Sequence, residues 1–348
     1  MQKIAKRIEI VNTNVPTLSC LGHKSSLAML ELLSAHYATV SITIVNNTED
    51  LAALVARQPD LVFVGLKYLP GEQLGTKVWV ADYLDQHGIE YSGSPRRAIE
   101  FEQDKSLAKQ QVMGAGVQTS QHVVLAYDKD QEVTQAPFPF PLFLKPVGSG
   151  AGVGVDENSV VHNLDQLNAK VKSLAEDHGA DALVETYLSG REFSVAILEK
   201  ESTDDLMAMP LEFLPPPDAH GDRILSHATK TAKVATPFAA VVDLQLKEQL
   251  IELATHAFIA LGGRDYGRID IRLDALGVPH FLEANLIPCL TRDYGTFPRA
   301  CKLNIGMEYD EMMLHIIRLA LGHKPSETDI DRLPLHATLF GIPMPATV

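Results

Sequence analysis

The sequence predicts an α/β protein: a parallel sheet flanked by helices over residues 1–100, then mixed α+β structure over the remaining two-thirds. The parallel part is predicted by strand-like runs that alternate with helical patterns through residue 100. The antiparallel part is predicted by strict polar–apolar alternation at 268–273, followed by a turn and a second strand. An apolar strand that runs directly into Lys145 and a glycine-rich turn favours a site for anionic phosphate oxygens.

Taken in order, Ile4–Val11, Val40–Val45 and Asp60–Leu66 read as strands, with helical spacing at Ser25–Tyr37 and Glu49–Arg57 between them. A helix at Thr76–His87 and a short strand at Ile89–Tyr91 complete the parallel part. One long helical segment spans Pro95–Gly114, Thr119–Ala126 is extended, and 127–139 is a polar, proline-rich loop. Helices are expected at Asn163–Glu176, Gln245–Leu261 and Tyr309–Leu321, and strands at Ala182–Glu185 and Phe193–Leu198. The division follows as 1–100, 101–190 and 191–325, with a polar tail at 326–348.

Composition narrows the function. A net charge of −14 argues against a nucleic-acid backbone as the main partner, although a local basic patch can still bind nucleotide phosphates. Cys20, Cys289 and Cys301 cannot all pair and show no CxxC spacing, which fits a reducing compartment. Charges interrupt the first residues where a signal peptide needs an apolar run, and no stretch has transmembrane length. A cytoplasmic protein with no membrane partner is expected.

The chemistry-bearing residues cluster in a few stretches. In the hairpin, Ile269, Ile271 and Leu273 point one way, and Arg268, Asp270 and Arg272 the other. On the second strand, Phe281, Glu283 and Asn285 are expected on one face. A two- or four-residue loop puts Asp270 on the face of Glu283 and Asn285, whereas a three-residue loop separates them. Two carboxylates and an amide together suit Mg²⁺ or Mn²⁺; apart, they are an exposed polar face.

After Lys145, the run Gly148-Ser149-Gly150-Ala151-Gly152-Val153-Gly154 is either a flexible turn or an anion cradle of backbone N–H groups. It matches neither a Walker A loop nor GxGxxG, which leaves a dinucleotide oxidoreductase without its fingerprint. Glu185 and Glu192 flank Thr186-Tyr187-Leu188, either as solvated loop charges or as acceptors for an adenine amine and ribose hydroxyls. The irregular loop 215–236 carries Lys230 and Lys233 and has the character of a lid.

These pieces in this order resemble ATP-grasp carboxylate–amine ligases, most closely the D-alanine–D-alanine ligase branch, over roughly residues 60–320. The resemblance implies an ATP-grasp fold with a Rossmann-like N-terminal domain, ATP as cosubstrate, two Mg²⁺ or Mn²⁺ ions and a homodimer. Lys105 and Lys145 would contact ATP, loop 148–154 would fold over the phosphates, Glu185 through Leu188 would hold adenine, and Glu192 the ribose. Lys230, or alternatively Lys233, would reach the phosphates; Asp270, Glu283 and Asn285 would carry the metals; Arg268 would stabilise developing charge.

The departures fall on substrate-reading positions. No glutamate occurs in 16–24, where the dipeptide ligases hold the first amine, and Ala151-Gly152 replaces a serine pair. Thr231 replaces a tyrosine, Cys289 a glycine, Tyr294-Gly295 a serine–leucine pair, and Lys67 a histidine, although Gly71-Glu72 remains. Cys289 either narrows the pocket or is a tolerated small residue. The expectation is a ligase acting on an acid, an amine or both that differ from D-alanine. The alternatives are a genuine D-alanine–D-alanine ligase and a non-catalytic ATP binder.

Overall fold

The computed structural model describes residues 2–323 except 74, 130–131, 149, 151, 202, 215–236 and 293. The expected tail, the lid loop with Lys230 and Lys233, and the loop residues Ser149 and Ala151 lie outside the described residues.

Strands β1 (Ile4–Asn12), β2 (Tyr37–Ile44) and β3 (Leu61–Val64) form a parallel sheet in the order β2-β1-β3. Helix α1 (His23–His36) covers one face, where Met29 and Leu33 meet Ile8, Ile10 and Phe63. Helix α2 (Thr48–Ala56), capped by the Asn47 side chain, covers the other with Leu51 and Leu54 against Val62 and Val64.

The next segment differs from its expectation. Residues 76–79 do not begin a helix, because β5 (Lys77–Trp79) pairs antiparallel with β4 (Tyr68–Pro70) and sets Trp79 edge-on against Tyr68 at 5.4 Å. Helix α3 (Val80–Gln86) is correspondingly shorter. Residues 89–91 add only a parallel bridge from Tyr91 to Val62 before Gly93 turns the chain at φ +87°.

The long helix expected at 95–114 is two helices, α4 (Arg96–Gln103) and α5 (Lys105–Gly114). Asp104 divides them by adopting extended backbone and accepting from the N–H groups of Ser106 and Leu107. Such a cap competes with helix continuation. It starts α5 at Lys105 and aims that helix into the molecule.

Strands β6 (His122–Leu125), β7 (Leu142–Pro146), β8 (Val160–Val161) and β9 (Ala182–Thr186) form an antiparallel sheet in the order β6-β9-β7-β8. Helix α6 (Leu164–His178) packs Leu167, Val171 and Leu174 against it. A second antiparallel sheet holds β10 (Glu192–Lys200), β11 (Thr203–Phe213), β12 (Phe238–Ala240), β13 (Tyr266–Leu273) and β14 (Pro279–Asn285), in the order β12-β11-β10-β13-β14. Helix α7 (Leu244–Ala260) covers one face of it. The other face joins α8 (Thr296–Ile305), α9 (Tyr309–Leu321) and the parallel sheet in one shared core. We propose the division 1–100, 101–190 and 191–325 because each sheet lies within one of these segments.

One ion pair with a buried carboxylate locks the parallel sheet. Glu9, 1% exposed on β1, accepts from Arg57 at 2.8 Å and 2.5 Å and from Thr43 on β2. Burial raises the pKa of Glu9, but the bonds from Arg57 and Thr43 outweigh it and hold the carboxyl below its ordinary range. A depressed carboxyl contributes stability above its unfolded pKa and loses that contribution as pH falls through the folded value. Glu9→Gln is therefore expected to cost about 1–3 kcal/mol at pH 7. Denaturant titration at several pH values should show the gap to wild type closing under acid conditions.

Candidate active site

A cleft opens between β7 and β9 on one side and β13 and β14 on the other. Its walls follow from strand alternation. Phe143 and Lys145 lie two apart on β7, Glu185 sits opposite Phe143 on β9, and Asp270 and Arg272 lie two apart on β13.

The hairpin joining β13 to β14 has a turn that separates the two faces. Asp274 and Val278 close a three-residue turn, with Gly277 at φ +82° and the Asp274 carboxylate accepting from the N–H groups of Leu276 and Val278. That odd length pairs Ile271 with Phe281, and both enter the core under α7. Phe281 therefore does not share the face of Glu283, contrary to the sequence expectation. A register shift just beyond it, at Leu282, restores the site: Asp270 pairs with Glu283 and Arg268 with Asn285. The extra residue is a β-bulge.

Around Asp270 the polar groups interlock. Arg268 forks onto its carboxylate at 3.0 Å and 2.9 Å, Ser194 donates at 2.7 Å and Asn285 at 3.1 Å. Burial opposes the Arg268 charge, but Asp270 and then Glu283 outweigh it, so the guanidinium pKa is raised. Two carboxylates and an amide supply hard oxygen donors. Among the described residues no group of three His, Cys, Asp or Glu side chains converges to hold a metal. Two carboxylates are too few by themselves, so Mg²⁺ or Mn²⁺ held there would need the Asn285 amide oxygen and phosphate oxygens to complete its shell.

At the other end, Glu185 is 2% exposed and accepts from Lys109 at 2.6 Å, Lys145 at 2.9 Å and Ser120 at 2.7 Å. Burial raises the pKa of Glu185, but the two lysine charges reverse that and hold it far below the usual range. Burial likewise lowers the pKa of Lys145, yet Glu185 and Glu283 carry it above its ordinary value. Lys105, at the start of α5, lies 3.5 Å and 3.4 Å from the carbonyls of Pro146 and Val147. Glu192 pairs with Arg272 at 3.2 Å, and Arg272 also donates to the Tyr187 hydroxyl.

The expected ATP residues Lys105, Lys145, Gly152, Val153, Glu185, Thr186, Tyr187, Leu188 and Glu192 line this cleft with Asp270 and Glu283. Gly148 and Gly150 are described, and a Cβ on Gly148 would press the Gln103 carbonyl at 3.3 Å. The expected substrate residues do not line the cleft. Lys67 pairs with Glu102 at 2.6 Å, Glu72 is exposed, and Cys289 donates to Thr291 at 3.3 Å. Tyr294 is 54% exposed, with Arg299 over its ring.

Sequence reasoning missed Lys109 and Ser120, and it placed Arg272 on the polar face without a role. Lys109 lies one helical turn after Lys105, so a second lysine on the same face was the available signal.

A family model described as D-ala D-ala ligase C-terminus matches residues 112–318. A D-alanine–D-alanine ligase of Saccharophagus degradans is 30% identical over 271 residues, covering 78% of this chain and 81% of that protein. Among solved structures, the ATP complex of the D-alanine–D-alanine ligase from Bacillus anthracis shares the fold, with TM-score 0.68 and 21% identity over 91% of this chain and 98% of that one. The VanG D-Ala:D-Ser ligase from Enterococcus faecalis also shares it, with TM-score 0.64 and 20% identity over 91% of this chain and 100% of that one. With its parallel N-terminal sheet and its cleft between two antiparallel sheets, the chain belongs to the D-alanine–D-alanine ligase family of ATP-grasp, ADP-forming ligases.

Proposed function

We propose that the protein is an ATP-dependent carboxylate–amine ligase that joins an acid and an amine, at least one of which is not D-alanine. The observation that carries the ligase reading is the pairing of Asp270 with Glu283, beside Arg268, in the cleft that Lys145 and Glu185 also line.

A carboxylate is a poor electrophile. Transfer of the ATP γ-phosphoryl to its oxygen makes an acyl phosphate, and attack by an amine then expels phosphate from a tetrahedral centre. The protein positions these reactants and neutralises charge without a covalent nucleophile. Lys105 and Lys145 meet the phosphates, the 148–154 segment covers them, and Arg268 stabilises charge on the transferred phosphoryl and the tetrahedral oxygen. Asp270, Glu283 and Asn285 would hold two Mg²⁺ or Mn²⁺ ions, which neutralise phosphate charge when bound. Water must be kept from the acyl phosphate, a task suited to a closing loop.

The altered-substrate reading rests on the amino-acid positions. The 16–24 segment has no glutamate to hold an amine, and the Lys67 ammonium is committed to Glu102. A site built to hydrogen-bond one substrate discriminates strongly when its partners change. A genuine D-alanine–D-alanine ligase is the second reading, favoured by the activity named for the curated relatives.

ADP release with ATP and Mg²⁺, screened over D- and L-amino acids singly and in pairs with product masses, separates these readings. A new dipeptide or amide is expected, whereas D-alanyl-D-alanine as sole product would establish the second reading. Arg268→Lys keeps a charge but loses the fork on Asp270, so it should lower kcat by about 10²-fold or more. An unchanged rate would remove Arg268 from the mechanism. EDTA should abolish turnover, and added Mg²⁺ should restore it.

A further inference from the structure

Lys109 is the most deeply buried cation described in this molecule, with its side chain 0% exposed. Without water, its three N–H donors must be satisfied by protein. They face Glu185 Oε1 at 2.6 Å, Thr119 Oγ1 at 2.8 Å, Ser120 Oγ at 3.1 Å and the Phe281 carbonyl at 3.2 Å. The lysine thereby ties α5, the 119–120 segment, β9 and β14 at the residue preceding the bulge. It lies behind the cleft wall, whereas Glu185, Ser120 and Lys145 line the cleft.

The arrangement makes the two oxygens of Glu185 unequal. Oε1 accepts from both Lys109 and Ser120, and Oε2 accepts from Lys145 at 2.9 Å. A carboxylate offers about four lone-pair sites. The protein thus engages Oε1 twice, by Lys109 from behind and by Ser120 at the cleft, and leaves acceptor capacity on Oε2, beside a lysine that itself lines the cleft.

We propose that Lys109 is a positioning residue that sets nucleobase selectivity: by gripping Oε1 it turns Oε2 of Glu185 toward the cleft, where it accepts the exocyclic N–H of a 6-aminopurine and repels a 6-keto oxygen. This rests on the cleft being the nucleotide site of the proposed ligase. Remove the rear charge, and Ser120 alone holds Oε1, so Glu185 can swing toward Lys145, which withdraws an acceptor from the base and ties up Lys145. Burial lowers the Lys109 pKa to about 8 even with Glu185 beside it, which fits a deeply buried but paired ammonium.

The test is calorimetric titration of wild type, Lys109→Met, Lys109→Arg and Ser120→Ala with ATP and with ITP, whose base carries a 6-keto group. Wild type should prefer ATP by about ten-fold or more, the worth of one charge-assisted hydrogen bond. Lys109→Met should erase most of that preference by weakening ATP, with ITP affinity changed by about two-fold or less. Lys109→Arg should retain part of it, and Ser120→Ala, which removes the second donor to Oε1, should reduce it by a smaller factor. Should Lys109→Met fail to fold, Ser120→Ala decides: an unchanged ATP/ITP ratio overturns the proposal. Parallel loss of ATP and ITP binding in Lys109→Met also overturns it, leaving Lys109 a purely structural role. Equal affinity of wild type for both nucleotides overturns the inference while the ligase reading stands. Binding of neither nucleotide defeats both.

Discussion

The register of the hairpin between β13 and β14 constrains most of what surrounds it. A strand repeats every two residues, so a slip of one exchanges core and site faces. The three-residue turn sends Ile271 and Phe281 into the core beneath α7, and a regular ladder would then set Leu282 against Asp270. The bulge at Leu282 admits both demands: Phe281 stays buried, and Glu283 meets Asp270. It also brings Asn285 within reach of Asp270, while the Phe281 carbonyl on the outer edge of β14 receives Lys109. Bulges recur beside active sites because they re-aim side chains in this way.

Charge in the cleft is balanced locally. Glu185 is matched by Lys109 and Lys145, Glu192 by Arg272, and Asp270 by Arg268. Isolated buried charges would be costly, and pairing offsets that cost without making the pairs strong stabilisers of the fold. A ligand bearing phosphates must therefore exchange partners inside the site. Lys145 and Arg268 are suited to that exchange because the carboxylates they leave behind retain other donors: Lys109 and Ser120 on Glu185, Ser194 and Asn285 on Asp270.

The wider frame holds the site by joining its outer layers. A single core runs from Ile8 and Phe63 of the parallel sheet through α9 to Ala196 and Leu198 of β10. Polar pins reinforce this seam. Gly93 donates to the buried Asp265 at 2.7 Å, and Arg264 reaches the carbonyls of Gly93 and Tyr91. The loop carrying Cys289 is tied in as well, since Thr291 lies 3.0 Å from Ser25 at the start of α1. The 289–291 loop is thus anchored to the same seam as the parallel sheet.

Local pattern in the sequence determined a good deal. Alternation at 268–273 separated Ile269 and Ile271 from Arg268 and Asp270, because a strand's side chains obey their period. The apolar run before Lys145 placed that lysine at a strand end facing a glycine-rich turn, and Glu185 and Glu192 fell on the strands that reach the same cleft. Tertiary structure decided the rest. Asp104 split one apparent helix into two by capping α5, a choice between a local hydrogen bond and helix continuation that periodicity does not register. The bulge at Leu282 arose from competition between burying Phe281 and pairing Glu283, which depends on what lies on each side of the sheet. Lys109 looked like any helical lysine because the groups that bury and neutralise it, Glu185 and the Phe281 carbonyl, lie far away in the chain. A charge acquires its environment only when distant segments meet, and that is why its place behind the cleft wall could be read only from the fold.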